Sequence, residues 1–485
     1  GVQTCALPIS YIADPEYLQA RQACNIRSAR SLLQLFQRNG GIYIKLGQHL
    51  SALEYILPHE FCEVMTVLQD AAPRSSMVDV AQVIQEEFGV KHLDNVYSEF
   101  DPEPIGVASL AQVHQAKLKD SNEAVAVKVQ HRAIRSYAEV DMFVVSLAVG
   151  LVKRIFPEFE FDWLADEMRV NLPKELDFVQ EAHNAERVLR NFESVGRCTE
   201  WLKVPDIRWR WTTSRVLTME FCPGAKVTDL QFMHQNGIDP YKVSGRLMHL
   251  FSEMIFLHGF VHCDPHPGNI LIRLRERGDA GWRIWNWFKK NDFQVVLLDH
   301  GLYREISNEF RISYARMWQA LISGDVEAIK RHCVDLGAGD AYRLFSSVLT
   351  HRTWSSVSVR AISTQSTLKE MELIKERAPG YLIQIADLLA KLPRPLLLLL
   401  KSNDLLRGIE RTLHEPGDTR PVQSFFLIAR YCAEAVLREE QSQESASYIH
   451  RLWCYLDYWR AVAQVSAFEA LIRLKMYLNG KIAPT

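Results

Sequence analysis

Neither charge sign predominates in this sequence, and no cysteine framework runs through it. Lys and Arg number 56 against 58 Asp and Glu, for a formal net charge of −2. Proteins that grip a nucleic-acid backbone carry a basic surplus, so nucleic acid is not an expected partner. The nine cysteines include no C-x-x-C pair. That sets aside the common zinc and redox motifs and leaves thiols that act as small apolar side chains. There is also no uninterrupted run of about 18 apolar residues, the length a membrane-spanning helix needs. The nearest stretches, 142–152 and 396–400, stop at Lys153 and Lys401 and read as core helix. Internal repeats and low-complexity tracts are absent as well.

What is present is ordinary for a globular protein: 485 residues, 48% hydrophobic and 24% charged. Residues 1–10 (GVQTCALPIS) read as foreign sequence, and 1–14 are expected to be a non-native or disordered start. Residues 15–70 and 79–88 alternate at helical spacing, the latter closed by Gly89. Strands are predicted around 105–115 and over 124–130, then long helices over 134–153 and 161–191, then strands at 204–207 and 215–221. Pro223-Gly224 makes a turn. A helix over 241–258 precedes strands at 269–273 and 294–299, joined by a loop with Trp282, Trp285 and Trp287. From Ser307 onward only helices are predicted, with a linker at 416–421.

Three motifs carry chemistry. Asp264-Pro265-His266-Pro267-Gly268-Asn269 puts an acid before a tight turn and an amide five residues later. This is the D-x-x-x-x-N spacing of phosphotransferase loops, in which the acid orients a nucleophile and the Asn ligates a metal. The bland alternative is a Pro-Gly turn whose Asp and Asn satisfy local backbone. Zinc ligation through His262 and His266 is weaker, because three convergent ligands are not apparent. Thirty residues after Asn269, Asp299-His300-Gly301 ends an apolar strand. It matches the D-F-G element, with Asp299 and Asn269 as magnesium ligands. Val125-Ala126-Val127-Lys128 resembles V-A-I-K, which aims Lys128 at the α/β-phosphates. Its holding carboxylate is expected from Glu175, Asp177, Glu181 or Glu186, with Glu181 the choice. The nucleotide loop, Gly106, Val107, Ala108 and Ser109, has a single glycine, so close backbone approach to phosphate is restricted. Glu220 is also expected to line the nucleotide site.

Together these residues resemble the UbiB family, also called aarF-domain or ABC1-type atypical kinases, over about residues 15–475. Two features specify it: the loop PIGVASLAQVH at 104–114, and Lys45-Leu46-Gly47-Gln48, which matches a K-x-G-Q signature. Glu175-Leu176-Asp177 matches the family's E-x-D. The runs LDHGLY at 298–303 and KSNDLLRGIE at 401–410 look most like a mitochondrial branch. The resemblance implies an α+β, protein-kinase-like bilobal fold with an N-terminal helical extension and a helical C-terminal region. It implies ATP and Mg2+ as cofactors, and a regulatory lid of Lys45, Gln48, Glu175 and Asp177 laid over the protein-substrate site. It further implies an ATPase or a small-molecule or lipid-linked kinase, with lipid or quinone-type molecules and the mitochondrial membrane as partners. The expected segments are 15–98 for the extension, 99–224 and 225–415 for the two lobes, and 416–485 for the C-terminal helices.

The sequence departs from the pattern in three places. Gly106-Val107-Ala108 stands where the family has consecutive alanines, which affects nucleotide preference. His262-Cys263-Asp264 lacks the Arg of H-R-D. The stretch after Gly301 is short and contains no A-P-E, which argues against control by activation-loop phosphorylation. The competing readings are a nucleotide-gated scaffold and a small-molecule kinase of the aminoglycoside-phosphotransferase type. The retained Lys128, Asp264, Asn269 and Asp299 count against the scaffold. The Lys45 and Ala-rich-loop signatures count against the aminoglycoside-type kinase.

Overall fold

The computed structural model describes residues 15–51, 57–70, 74–155, 162–275, 292–350, 392–414, 422–442 and 448–478, with Trp354. The expected disordered start at 1–14, the Trp-containing loop and the linker at 416–421 therefore lie outside the described residues. Two compact units form. Unit 1 comprises 1–183 with 206–222, and unit 2 comprises 184–205 with 223–485.

Unit 1 begins with helices α1 (Pro15–Asn39), α2 (Gly41–Ser51), α3 (His59–Met65) and α4 (Val67–Asp70), packed around Phe36, Ile44, Met65 and Leu68. Helix α5 (Met77–Phe88) is capped by Ser76, whose side chain accepts the Asp79 amide, and ends at Gly89 with φ 64°. That left-handed conformation suits glycine. An antiparallel sheet follows: β1 (Tyr97–Phe100), β2 (Gly106–Val107), β3 (Ala111–Leu118) and β4 (Ala124–Gln130). Helices α6 (Arg132–Ile155), α7 (Asp162–Glu175) and α8 (Phe178–Val195) come next. The chain then runs through β5 (Leu202–Lys203) in unit 2 and returns to the sheet as β6 (Val216–Glu220), giving the order β1-β3-β4-β6 with β2 on β3.

Strand alternation decides what β4 does. Val125, Val127 and Val129 face α5, where they bury Val80, Val83 and Ile84. Ala126 lies on the opposite face, packed against Phe178 and Ala182 of α8. Lys128, two residues on, shares that face.

The single helix predicted over 161–191 is two helices. Pro173 falls in the last turn of α7, where it cannot donate to the turn before it. The Phe178 amide instead reaches the Ser214 carbonyl at 3.1 Å, and Asp177 accepts the Val179 amide at 3.1 Å. Asp177 thereby starts a new helix.

Unit 2 holds a four-stranded sheet, β5-β10-β9-β7, built from β7 (Ala225–Lys226), β9 (Ile270–Leu274) and β10 (Phe293–Leu297) with β5. A two-stranded pair joins β8 (Phe260–His262) to β11 (Tyr303–Glu305). Helices α9 (Leu230–Gln235) and α10 (Pro240–Glu253) precede β8. Helices α11 (Asn308–Ser323), α12 (Val326–Asp335), α13 (Tyr342–Thr350), α14 (Arg394–Leu413), α15 (Val422–Ser442) and α16 (Tyr448–Leu478) complete the unit. The strand predicted at 204–207 is displaced to β5, which pairs in parallel with β10 through Leu202 and Val295. The strand predicted to reach Asp299 stops at Leu297. Among the described residues no helix is long and apolar enough to cross a membrane.

Candidate functional site

In unit 1 the Lys128 ammonium sits 2.7 and 2.9 Å from the two carboxylate oxygens of Glu181. Strand alternation aims Lys128 at α8, and Asp177 sets where α8 begins, which puts Glu181 in its first turn. Glu181 is buried at 3% exposure and Lys128 largely so at 14%. Lys128 also lies over the Phe178 ring, 5.1 Å from its centre. A buried ion pair of this kind depends on both members, since loss of one strands the other's charge.

The other expected carboxylates have different partners. Glu175 takes Lys45 at 2.7 Å, while Asp177 turns back on its own chain as the α8 cap. Gln48 on α2 donates to the Leu68 carbonyl at 2.9 Å and accepts from Ser109 at 3.5 Å. Gly47 is required between them, because a Cβ there would lie 2.2 Å from Leu68 Cδ1 and 2.8 Å from Phe36 Cδ2.

The loop expected to take nucleotide is bonded to its own neighbours. Gly106 and Val107 form β2, paired with Val113 and Gln112 of β3. The Ala108 amide is used within the turn, on the Ala111 carbonyl at 2.8 Å. Ser109 is buried and turned toward Gln48, so its side chain serves α2 and not an outward cradle. His131, which sequence reasoning passed over, holds this loop. Its Nε2 meets the Ala108 carbonyl at 3.0 Å and its Nδ1 the Ser75 hydroxyl at 2.7 Å. A carbonyl only accepts, so Nε2 carries the proton and Nδ1 accepts. Burial lowers the pKa of His131, against the opposing pull of the Ala108 carbonyl. Glu220 ends β6 and accepts the Asp206 amide at 3.3 Å. Its own amide donates to the Asp206 carbonyl at 2.8 Å.

In unit 2 the β9–β10 hairpin pairs Ile270 with Leu297. One further bond, Leu298 N–H to the Asn269 carbonyl at 3.0 Å, brings Asn269 and Asp299 to the same end of the hairpin. Asp299 accepts the Gly301 amide at 2.9 Å. The loop 264–269 is tied by His266 N–H to the Asp264 carbonyl at 2.7 Å and Asn269 N–H to the His266 carbonyl at 2.8 Å. The Asn269 side-chain nitrogen donates to the Asp264 carbonyl at 3.2 Å. A carboxylate and an amide oxygen form the hard oxygen donor set that magnesium takes alongside nucleotide phosphates. Among the described residues no three His, Cys, Asp or Glu side chains converge to hold a metal, so a closed zinc site at His262 and His266 lacks a ligand set.

His262 holds the start of this loop, its Nδ1 accepting the Asp264 amide at 3.3 Å. His300 is buried; its Nε2 donates to the Leu297 carbonyl at 3.1 Å and its Nδ1 accepts the Tyr303 hydroxyl at 3.0 Å. His262 is fully buried and stacks on Tyr303. Burial lowers its pKa, although Asp299 and Asp264 pull the other way, so its ring stays neutral beside the acids. A second group missed in the sequence is Lys401, whose Nζ stands 3.2 Å from Asp264 Oδ1.

Comparison with known proteins places the chain among relatives. Residues 67–333 match the ABC1 atypical kinase-like domain. The chain is similar to AarF domain-containing protein kinase 1 of Mus musculus, 43% identical over 95% of this chain and 83% of that protein. It is similar to AarF domain-containing kinase 1 of Drosophila melanogaster, 40% identical over 90% and 81% respectively. It also resembles the ABC1 family protein MCP2 homolog of Schizosaccharomyces pombe, 36% identical over 93% and 77%.

Proposed function

This chain belongs to the ABC1 atypical kinase-like family, and from that premise we propose that it is an atypical kinase or ATPase that binds Mg-ATP and serves mitochondrial lipid, ubiquinone or membrane homeostasis. The observation that carries the nucleotide half of this reading is the Lys128–Glu181 pair, with an ammonium fixed by both carboxylate oxygens. In phosphotransferases a lysine held this way pairs with the α/β-phosphates. Asp299 and Asn269 would hold magnesium, which would neutralise charge on the phosphates. Asp264 accepts the proton of the attacking hydroxyl or water.

The K-x-G-Q helix regulates this chemistry through the nucleotide loop. Lys45 anchors to Glu175, and Gln48 holds Ser109 within that loop. Asp177 contributes by fixing the start of the helix that carries Glu181. The mitochondrial setting and the lipid or quinone partners rest on family resemblance alone.

Calorimetric titration of Mg-ATP into wild-type protein and Asp299→Asn, with phosphate release followed in parallel, tests the reading. We expect the variant to lose at least ~10-fold in Mg-ATP affinity, as removal of a metal carboxylate does, and all detectable turnover. Equal affinity in the two proteins removes Asp299 from the site. Wild-type binding without phosphate release moves the protein to the scaffold class.

A further inference from the structure

The loop from Asp264 to Asn269 supplies an acid and an amide but no cation; its residues are Asp, Pro, His, Pro, Gly and Asn. His266 is occupied within the turn, its Nδ1 accepting the Gly268 amide at 3.2 Å. Phosphoryl transfer spreads negative charge over three equatorial oxygens, and enzymes of this kind recruit a cation to that charge. In unit 2 a cation arrives from far along the chain. Lys401, 137 residues after Asp264, brings its Nζ to 3.2 Å from Asp264 Oδ1.

The helix that delivers it is fixed in place. Leu396, Leu399 and Leu400 of α14 are buried. Asn403 and Arg407, one and two turns further on, both donate to the Leu349 carbonyl of α13, at 3.4 and 2.9 Å. Lys401 thus interrupts an apolar run at a place set by the helices on which it packs. Side-chain exposures of 22% for Lys401 and 31% for Asp264 leave the pair partly solvated. Pairs this exposed contribute little to stability. An ammonium on a four-carbon stem, held at the acid of a catalytic loop, is better explained by chemistry than by folding.

We propose that Lys401 is a catalytic residue of the phosphoryl transfer, meeting Asp264 at rest and the oxygens of the transferred phosphoryl during reaction; this rests on the phosphotransferase reading above. In the step, the bond between the γ-phosphorus and its bridging oxygen breaks, and the electron pair leaves with ADP. The new bond forms to the acceptor oxygen, that of water in hydrolysis, whose proton passes to Asp264. Lys401 keeps its proton throughout and balances the charge of the moving group.

The test compares wild type, Lys401→Met and Lys401→Arg as full chains. It reads ATP turnover, Mg-ATP affinity, affinity for Mg-ADP with aluminium fluoride (a mimic of the moving phosphoryl), and melting temperature. Loss of one preorganised donor costs ~10²-fold in turnover, and that is expected for Lys401→Met, with Mg-ATP affinity within about twofold of wild type because the contact forms only in the transition state. The aluminium fluoride complex should weaken by at least ~10-fold, and Lys401→Arg should restore most of both losses, since it keeps the charge. Equal weakening of ATP and of the aluminium fluoride complex, or a lowered melting point with unchanged turnover per folded molecule, overturns the assignment and leaves Lys401 as a structural tether. If wild type binds no Mg-ATP at all, the parent reading falls first, and that outcome is told apart by the wild-type titration alone.

Discussion

Unit 1 and unit 2 hold their candidate residues by different means. In unit 1, Lys128 and Glu181 form a buried pair, 14% and 3% exposed, carried by a central strand and a helix. In unit 2, Asp264 and Lys401 are 31% and 22% exposed, and the acid sits on a short loop tied by its own backbone. Desolvated charges make each other necessary, because either one alone is left without compensation. Partly solvated charges on a loop can be changed without endangering the fold. The contrast separates two kinds of placement: the candidate charge of unit 1 is also part of its framework, while the candidate acid and cation of unit 2 contribute little to stability.

The largest effect on this contrast is expected from Glu181→Ala. It leaves the Lys128 ammonium buried over Phe178 without its carboxylate, and should cost about 3 kcal/mol of folding free energy. Asp299→Asn, at the end of the β9–β10 hairpin, should change stability by less than ~1 kcal/mol, the range of a lone, non-core polar substitution. Denaturant unfolding of both variants measures the difference. If they lose equal stability, the division between framework and reactive groups is wrong.

That division also explains what could be read from sequence. Lys128, Asp264, Asn269 and Asp299 stand out because their chemistry demands short, ordered spacings that survive without any knowledge of the fold. The choice of Glu181 among four carboxylates had no local signal. It depends on the helix restart at Asp177, which in turn depends on Ser214 accepting the Phe178 amide from a distant turn. The contact of Ser109 with Gln48 spans 61 residues, so no local pattern shows it. Lys401 looked like the end of an apolar run, since nothing local shows a contact formed across 137 residues. Strands β7, β8 and β11 span two or three residues each, too short to show a period of two.

A smaller effect sharpens the framework half. Gly47→Ala adds a methyl where Leu68 Cδ1 would be 2.2 Å away and Phe36 Cδ2 2.8 Å. Both neighbours are buried, at 0% and 3% exposure, so neither has room to withdraw. Overpacking costs about 1–3 kcal/mol, while replacing a helical glycine by alanine returns up to ~1 kcal/mol of helix propensity. The clash should win by up to about 2 kcal/mol, the upper end of the first range less the ~1 kcal/mol of propensity. Amide exchange on α1 to α4 should rise, with the β9–β10 hairpin unchanged. A stabilised protein means that the close contact at Gly47 is not real.

The smallest effect concerns pH and again distinguishes the framework from the reactive loop. His131 holds the Ala108 carbonyl and the Ser75 hydroxyl in its neutral form. Burial places its folded pKa below the ordinary imidazole value of about 6.5. As pH falls below that value, the unfolded chain takes up the proton first. The stability contributed by the neutral ring is therefore complete above the unfolded pKa and is lost as pH falls through the folded one. His114 in the same unit is shifted downward by burial too, so unit 1 should weaken as pH falls below the ordinary imidazole value of about 6.5. His131→Gln keeps a donor and an acceptor but cannot titrate, and it should remove part of that slope. The check is the unfolding free energy of both proteins across this range. Parallel curves would show that His131 titrates alike in folded and unfolded chains, and that the ring is not the buried clamp on the nucleotide loop that its two hydrogen bonds imply.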